Sequence, residues 1–225
     1  MKYVASDLHG YYDKYIKAIE LLNDDDELYI IGDAIDRGPD GIKILLDIMA
    51  RDNVTLTKGN HECLVYNDLS ELAGSDAIDT KRIISESLTY GDIGQVETLK
   101  AFSKLSAKEQ FAILEYIFEL PLYIKLCVNS KDYILVHAGL PDFNGTPIPI
   151  EHLDEDDLLV GYHDYNVQHY PDTTIVIGHQ PTRTIFDAEP DKIYRKGDTI
   201  NVDCGLGFGG QLGVLCLDTN KEYYF

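Results

Sequence analysis

Three short segments in the first third of the chain collect residue types that bind divalent cations and phosphate. Asp7-Leu8-His9-Gly10 sets a carboxylate and an imidazole two residues apart. Gly32-Asp33-Ala34-Ile35-Asp36-Arg37-Gly38-Pro39 supplies two carboxylates and an arginine in quick succession, and Gly59-Asn60-His61-Glu62 adds an amide and a second imidazole. Carboxylate oxygen with neutral imidazole nitrogen suits Mn, Fe or Zn better than Mg or Ca. An arginine can fork two hydrogen bonds to a phosphate. Taken singly, each segment has an ordinary explanation: Asp7 can cap a helix, Asp36 and Arg37 can pair on the surface, and His61 can be a satisfied core histidine.

The elements that carry these segments make coincidence harder to sustain. Lys2 to Ser6 reads as a short strand, and Tyr12 to Leu22 as a helix with Tyr15, Ile16, Ile19 and Leu22 on one face. Leu28 to Ile31 is an apolar run without alternation that stops at Gly32, the pattern of a buried strand. A helix from about Asp40 to Arg51, with Ile44, Leu45, Ile48 and Met49 inward, leads to a third strand, Asn53 to Thr57. Strand, helix, strand, helix, strand predicts a parallel sheet with right-handed crossovers. In such a sheet the carboxyl ends lie side by side, where α/β proteins keep their ligands. The aspartates of Asn23 to Glu27 lack the spacing and glycine of a calcium loop and are read as a solvated turn.

Taken together, the three segments resemble the linked DxHG, GDxxDRG and GNHE motifs of the phosphoprotein phosphatase family of binuclear metallophosphoesterases, in its bacterial serine/threonine phosphatase form. Leu135-Val136-His137-Ala138-Gly139-Leu140 is similar to the family's HGG/HAG motif, and Ile177-Gly178-His179-Gln180-Pro181 to its GHxP-like motif. The resemblance runs from residue 3 to about residue 215. It implies an α/β fold, the calcineurin-like metallophosphoesterase sandwich of two mixed β-sheets flanked by helices, with residues 1–225 as a single domain.

The resemblance also implies a ligand set. Asp7, His9 and Asp33 would hold one metal, and Asp33, Asn60, His137 and His179 the other, with Asp33 bridging. Two such cations, about 3.5–4 Å apart, neutralise phosphoryl oxygens and activate a water for in-line attack. Asn60 is informative because a neutral amide is a weak ligand, rarely recruited to a one-metal site. Nitrogen and oxygen donors without cysteine favour Mn, with Fe or Zn as alternatives. His61 would be the general acid, Asp36 would orient it and raise its pKa, and Arg37 would clamp the phosphate.

One departure bears on substrate. Many family members carry a second phosphate-binding arginine in a W-x-R run between the last two motifs. Here Val160 stands at the tryptophan place and Tyr162 at or near the arginine. Losing such a contact costs transition-state stabilisation of about 3 kcal/mol. Tyr162, as a neutral donor, or Arg183 is expected to substitute in part. The first reading of the activity is a serine/threonine protein phosphatase. A symmetrical bis(5'-nucleosyl)-tetraphosphatase is the enzymatic alternative, and a weakly active phosphate-binding scaffold is the alternative of another class.

Composition bounds these readings. Of 225 residues, 44% are hydrophobic and 26% charged, as in ordinary globular proteins, and the net charge of −20 argues against nucleic acid or an anionic membrane as partner. Any phosphate chemistry on so acidic a chain needs local cations. No apolar stretch reaches membrane-spanning length, and Met1-Lys2-Tyr3 runs straight into a strand, so a cytoplasmic location is expected. Cys63, Cys127, Cys204 and Cys216 form no C-x-x-C pair and are read as mostly buried free thiols.

Residues 63–130 carry no ligand motif and are expected to form a helical elaboration walling one side of the cleft. Helices are predicted at Lys81 to Leu88 and Ser106 to Leu120, the second with Phe111, Leu114, Ile117 and Phe118 inward, and a turn at Tyr90 to Gly94. Strand character returns at Leu122 to Val128, Tyr133 to His137 and Thr173 to Gly178. Asp154 to Asp157 reads as a solvated helix start. Thr199 to Asp203, Gly213 to Asp218 and Glu222 to Phe225 look like an antiparallel meander, with the glycines of Gly205 to Gly210 serving a tight turn beneath the site. His152, His163 and His169 fall in polar sequence and receive no role.

Overall fold

A computed structural model describes residues 1–90, 94–141, 143 and 146–225, without the side chains of Thr89 and Tyr90. Its order is β1 (Lys2–Ser6), α1 (Tyr12–Ile19), β2 (Glu27–Ile31), α2 (Gly41–Met49), β3 (Val54–Thr57), then α3 (Asn60–Leu72), α4 (Ala77–Tyr90), α5 (Gln95–Phe102) and α6 (Ala107–Glu119). The second half runs β4 (Tyr123–Val128), β5 (Lys131–Val136), α7 (Glu155–Val160), β6 (Thr173–Ile177), β7 (Tyr194–Lys196), β8 (Thr199–Asn201), β9 (Gly213–Cys216) and β10 (Glu222–Tyr224).

The strands form two mixed sheets, ordered β10-β9-β1-β2-β3 and β4-β5-β6-β8-β7. The predicted parallel core is present, with Ser6 opposite Ile31 and Ile31 opposite Thr57, so the carboxyl ends of β1, β2 and β3 are level. Strand alternation divides the apolar side chains between layers. Tyr3, Ala5, Leu28 and Ile30 face the helices, while Val4, Tyr29 and Ile31 meet Tyr133, Leu135 and Val176 of the other sheet. Ile134, Val136, Ile175 and Ile177 cover the second sheet's outer face. Both faces of these strands are dry, which is why they read as continuous apolar runs.

Several expectations need correction. The last strands are not one meander: β8 lies parallel to β6 and antiparallel to β7 in the second sheet, whereas β9 and β10 form a hairpin on β1 in the first. The chain crosses between sheets through the Gly205–Gly210 turn, which strand alternation alone cannot signal. On α6 the buried face is Gln110, Ile113 and Ile117, while Phe111 and Phe118 are exposed. Ser106 caps this helix, accepting from Glu109 N at 3.3 Å while the Glu109 side chain returns to Ser106 N at 2.8 Å. Cys204 and Cys216 are buried and Cys63 and Cys127 exposed, so only half of the thiols are packed. Asp26 is also buried, accepting from Asn23 N at 2.9 Å and Nδ2 at 2.7 Å, so the acidic turn is not wholly solvated. The predicted turn at Tyr90 to Gly94 falls largely outside the described residues. Among the described residues, no helix is long and apolar enough to cross a membrane.

Candidate metal centre

The level strand ends bring the predicted residues together. Backbone bonds lock the first two loops: His9 N donates to Asp33 O at 2.9 Å, Gly10 N to Ala34 O at 2.9 Å, and Gly38 N to His9 O at 2.8 Å. In the second sheet Gly178 N donates to His137 O at 2.9 Å, and His179 N ties that sheet to the first by donating to Asp7 Oδ2 at 2.9 Å. Gly32, at φ 69°, has no room for a side chain, since a Cβ would lie 2.6 Å from both Gly59 Cα and His137 Nδ1.

Backbone strain is concentrated here. Asp7, His9, Asp33, Asp36, Arg37 and His179 all adopt positive φ, between 45° and 67°. Each such conformation costs a non-glycine residue about 1–2 kcal/mol. The hydrogen bonds that bind these loops to one another hold the strained geometry.

Asp33 is the common point. Its Oδ1 lies 3.4 Å from His137 Nε2, and its Oδ2 3.8 Å from His9 Nε2 and 3.9 Å from His61 Nε2. His61 N, in the first turn of α3, donates to Asp33 Oδ1 at 3.0 Å, so the positive end of a helix also faces this carboxylate. Two donor groups result, His9 with Asp33 and His61, and Asp33 with His137 and His179, each within 4.8 Å. Asp7 Oδ1 stands 3.8 Å from His9 Nε2 beside the first group. Asn60 Oδ1 lies 2.8 Å from His137 Nε2 and 3.0 Å from His179 Nδ1 and completes the second.

The remaining ring nitrogens are committed to backbone carbonyls, His9 Nδ1 to Ile35 O at 3.2 Å and His137 Nδ1 to Ile31 O at 3.0 Å. That arrangement turns Nε2 of both rings inward as an acceptor for a metal. Burial alone would raise the pKa of Asp33, yet His137, His9 and His61 hold it below the usual carboxylate range. Burial also lowers the pKa of His9 and His179, favouring the neutral imidazole that a metal requires. A buried set of carboxylate, imidazole and amide donors fits divalent cations.

Next to these donor groups, His61 Nδ1 donates to Asp36 Oδ2 at 2.8 Å. Burial works against the imidazolium, but Asp36 and Asp33 overcome it and raise the His61 pKa to about 9. Arg37 Nη2 is 3.4 Å from His61 Nε2, and Arg37 Nη1 is buried without a protein partner among the described residues. A guanidinium with an idle buried donor is the arrangement an anion would complete.

Sequence reasoning missed two supports. Glu62, fully buried, accepts from Asp33 N and Gly59 N through Oε2 and from Ala34 N through Oε1, each at 2.9 Å, and so fastens the end of β3 to the end of β2. Its burial and the Asp33 charge raise its pKa to about 7. Thr98 of α5 donates to Asp36 Oδ1 at 2.7 Å and accepts from Asp36 N at 3.1 Å, while Arg37 N donates to Gly94 O at 3.1 Å. The helical elaboration therefore grips the Asp36-Arg37 turn. Glu62 lies inside a recognised motif and could have been found; Thr98 carries no local signal.

Arg183 does not serve as a spare phosphate ligand. Its Nε and Nη2 donate to Asp191 at 2.6 and 2.7 Å and its Nη1 to Phe208 O at 2.8 Å. Tyr162 is exposed and lines a groove of about 280 Å³ with Val160, His179 and Pro181. His163 and His169 lie on the connection between α7 and β6, as their loop-like sequence suggested, but both are buried.

The sequence profile of the calcineurin-like phosphoesterases matches residues 3–204. The chain belongs to that family. Divalent metal ions go with the family. A symmetrical bis(5'-nucleosyl)-tetraphosphatase of Wigglesworthia glossinidia brevipalpis is 32% identical over 143 residues, 61% of this chain and 44% of the relative. The chain thus spans under half the length of the curated relatives it matches. A provisionally assigned diadenosine tetraphosphatase superposes with a TM-score of 0.64 at 16% identity, covering 100% of this chain and 92% of the other. A serine/threonine phosphatase of Saccharomyces cerevisiae superposes with a TM-score of 0.59 at 16% identity, covering 100% and 79%. At such identities the superpositions establish the sandwich fold.

Proposed function

We propose that the protein is a divalent-metal-dependent hydrolase that cleaves dinucleoside tetraphosphates symmetrically. The observation that carries the reading is the convergence of Asp7, His9, Asp33, Asn60, His137 and His179 at the strand ends, beside one arginine with an unengaged donor. The ions, most consistent with Mn and with Fe or Zn as alternatives, supply charge neutralisation and an activated water when bound. Arg37 holds the phosphoryl group under attack. Water attacks phosphorus in line, the bridging P–O bond breaks, and its electron pair leaves on the departing phosphate oxygen. His61, kept protonated by Asp36, delivers a proton to that oxygen from Nε2. Tyr162, in the groove beside His179, meets the substrate beyond the phosphate.

Two considerations favour this over the phosphoprotein reading. The relatives matched over about three fifths of this chain are named tetraphosphatases, whereas one from Caenorhabditis elegans, named a serine/threonine-protein phosphatase, matches over 29% of it. A nucleoside diphosphate is also a far better leaving group than a serine alkoxide, so its departure demands less than a second arginine would provide. The His61–Asp36 pair favours the second reading, a serine/threonine phosphatase, because an alkoxide needs an acid most.

Side-by-side turnover of diadenosine tetraphosphate and a phosphoserine peptide by the Mn-loaded protein tests the choice. The expected result is faster dinucleotide cleavage with ADP as sole nucleotide product. ATP with AMP, or faster peptide dephosphorylation, would overturn it, and no hydrolysis with any divalent cation would favour a phosphate-binding scaffold.

A further inference from the structure

The sequence Gly205-Leu206-Gly207-Phe208-Gly209-Gly210 makes a turn of unusual construction. Gly205 and Gly209 adopt φ of 73° and 78°, and a single 3-10 turn, Leu206–Phe208, lies between them. Leu206 is buried, yet Phe208 two residues later is 55% exposed. A large apolar ring held out of a core that lies close by needs a reason. Its partner supplies one. The Phe208 ring centroid is 3.9 Å from Arg37 Cζ, close contact for a guanidinium lying against an aromatic ring.

The turn is also pressed against the metal centre. A Cβ on Gly207 would run into the His9 ring and lie 3.0 Å from Arg37 Nη1. It is braced from outside, where Arg183 donates to Phe208 O at 2.8 Å and grips Asp191 with two more donors. From inside, Asp203 Oδ1 accepts from Gly205 N at 2.9 Å. Arginine has a long, rotamer-rich side chain, and its fork binds phosphate well only when its plane is set beforehand. Phe208 covers one side of the guanidinium, while Nη1 carries no protein partner.

We propose that Phe208 is a positioning residue for phosphate binding, fixing the Arg37 guanidinium through the turn that Arg183 and Asp191 brace. The inference rests on the reading of Arg37 as the phosphate clamp. Arg183, with its donors engaged, acts on phosphate at one remove, through the Phe208 carbonyl.

Titration calorimetry of inorganic phosphate into the Mn-loaded protein, with p-nitrophenyl phosphate kinetics alongside, provides the test. Phe208→Ala should weaken phosphate binding about 3- to 30-fold, the range of a partly desolvated cation–π contact. KM should rise in step, kcat should move less, and manganese content should stay unchanged. Phe208→Tyr should restore binding, Phe208→Leu should not, and Arg183→Ala should weaken it by less than Phe208→Ala. In an Arg37→Ala background, Phe208→Ala should add nothing. Phosphate affinity preserved in Phe208→Leu, or an undiminished Phe208→Ala effect in the Arg37→Ala background, would show a packing role only and overturn the proposal. Arg37→Ala with normal phosphate binding would overturn the clamp reading and this inference with it. A normal Arg37→Ala loss with unaffected Phe208→Ala would remove this inference alone.

Discussion

Two histidine clusters in this chain show how far surroundings decide what a residue does. At the strand ends, His9, His61 and His137 surround the Asp33 carboxylate, with His179 against Asn60 and Asp7. Much of the backbone there is strained, and the donor atoms of each group lie within 4.8 Å of one another. In the outer layer of the second sheet, His163 and His169 stack with ring centroids 4.6 Å apart, walled by Tyr165 and Phe143. His163 Nδ1 accepts from Leu140 N at 3.1 Å and its Nε2 meets Thr199 Oγ1 at 2.8 Å. One cluster keeps nitrogens available for a ligand. The other has spent those of His163 on the fold.

Opposite responses to substitution and pH follow, and the largest belongs to Asp33. Replacing it with Asn removes the charge shared by both donor groups. Loss of manganese from the protein, read by elemental analysis, should accompany a fall of about 10³-fold or more in kcat. Retained metal and activity would place the bridging role elsewhere.

His61→Gln comes next, with a fall of about 10²–10⁴ where a proton must reach the leaving group. The loss should be greater for an alkyl phosphate than for p-nitrophenyl phosphate, whose phenolate leaves without help. Equal losses on both would mean that His61 acts on something other than the leaving oxygen.

The buried pair should register in stability. Burial, with His169 alongside, lowers the His163 pKa from 6.5 to about 4. As pH falls through this window the unfolded chain takes up the proton first, so stability is full above 6.5 and is lost progressively toward 4. The loss from this group reaches about 3 kcal/mol. Urea unfolding at several pH values should show a shallower acid slope for His163→Gln than for the wild type; an unchanged slope would acquit His163.

The smallest effect is that of Thr98→Val. It deletes both buried hydrogen bonds between the Thr98 hydroxyl and Asp36 while keeping the shape, and kcat should drop about 5-fold with metal content intact. A drop in thermal stability with unchanged kcat would make Thr98 merely structural.

The convergence of the candidate metal-site residues was largely readable because they sit in short runs tied to strand ends. Asp7, His9, Asp33, Asn60 and His61 each follow a recognisable strand, and parallel pairing brings such ends level. The supports were not readable for an equally definite reason. Thr98 reaches Asp36 across 62 residues, and Phe208 reaches Arg37 across the boundary between sheets. Nothing in their own neighbourhood marks them. The α6 stripe held in part: Ile117 is buried and Leu114 packs against the core, but Phe111 and Phe118 are exposed, because helical spacing gives a periodicity and leaves open which of two adjacent faces is covered.

The chain by itself determined the alternation of strands and helices, the apolar runs that must be buried, and the ligand-type residues at their ends, because these depend on local periodicity and residue chemistry. Only the tertiary structure decided which histidines converge with Asp33 and Asn60 and which are buried in packing. It also decided where the last strands belong and what holds Asp36 and Arg37 in place. Those outcomes depend on contacts between distant segments, where sheet twist, layer packing and the room left by glycines select one arrangement from many that the local pattern allows.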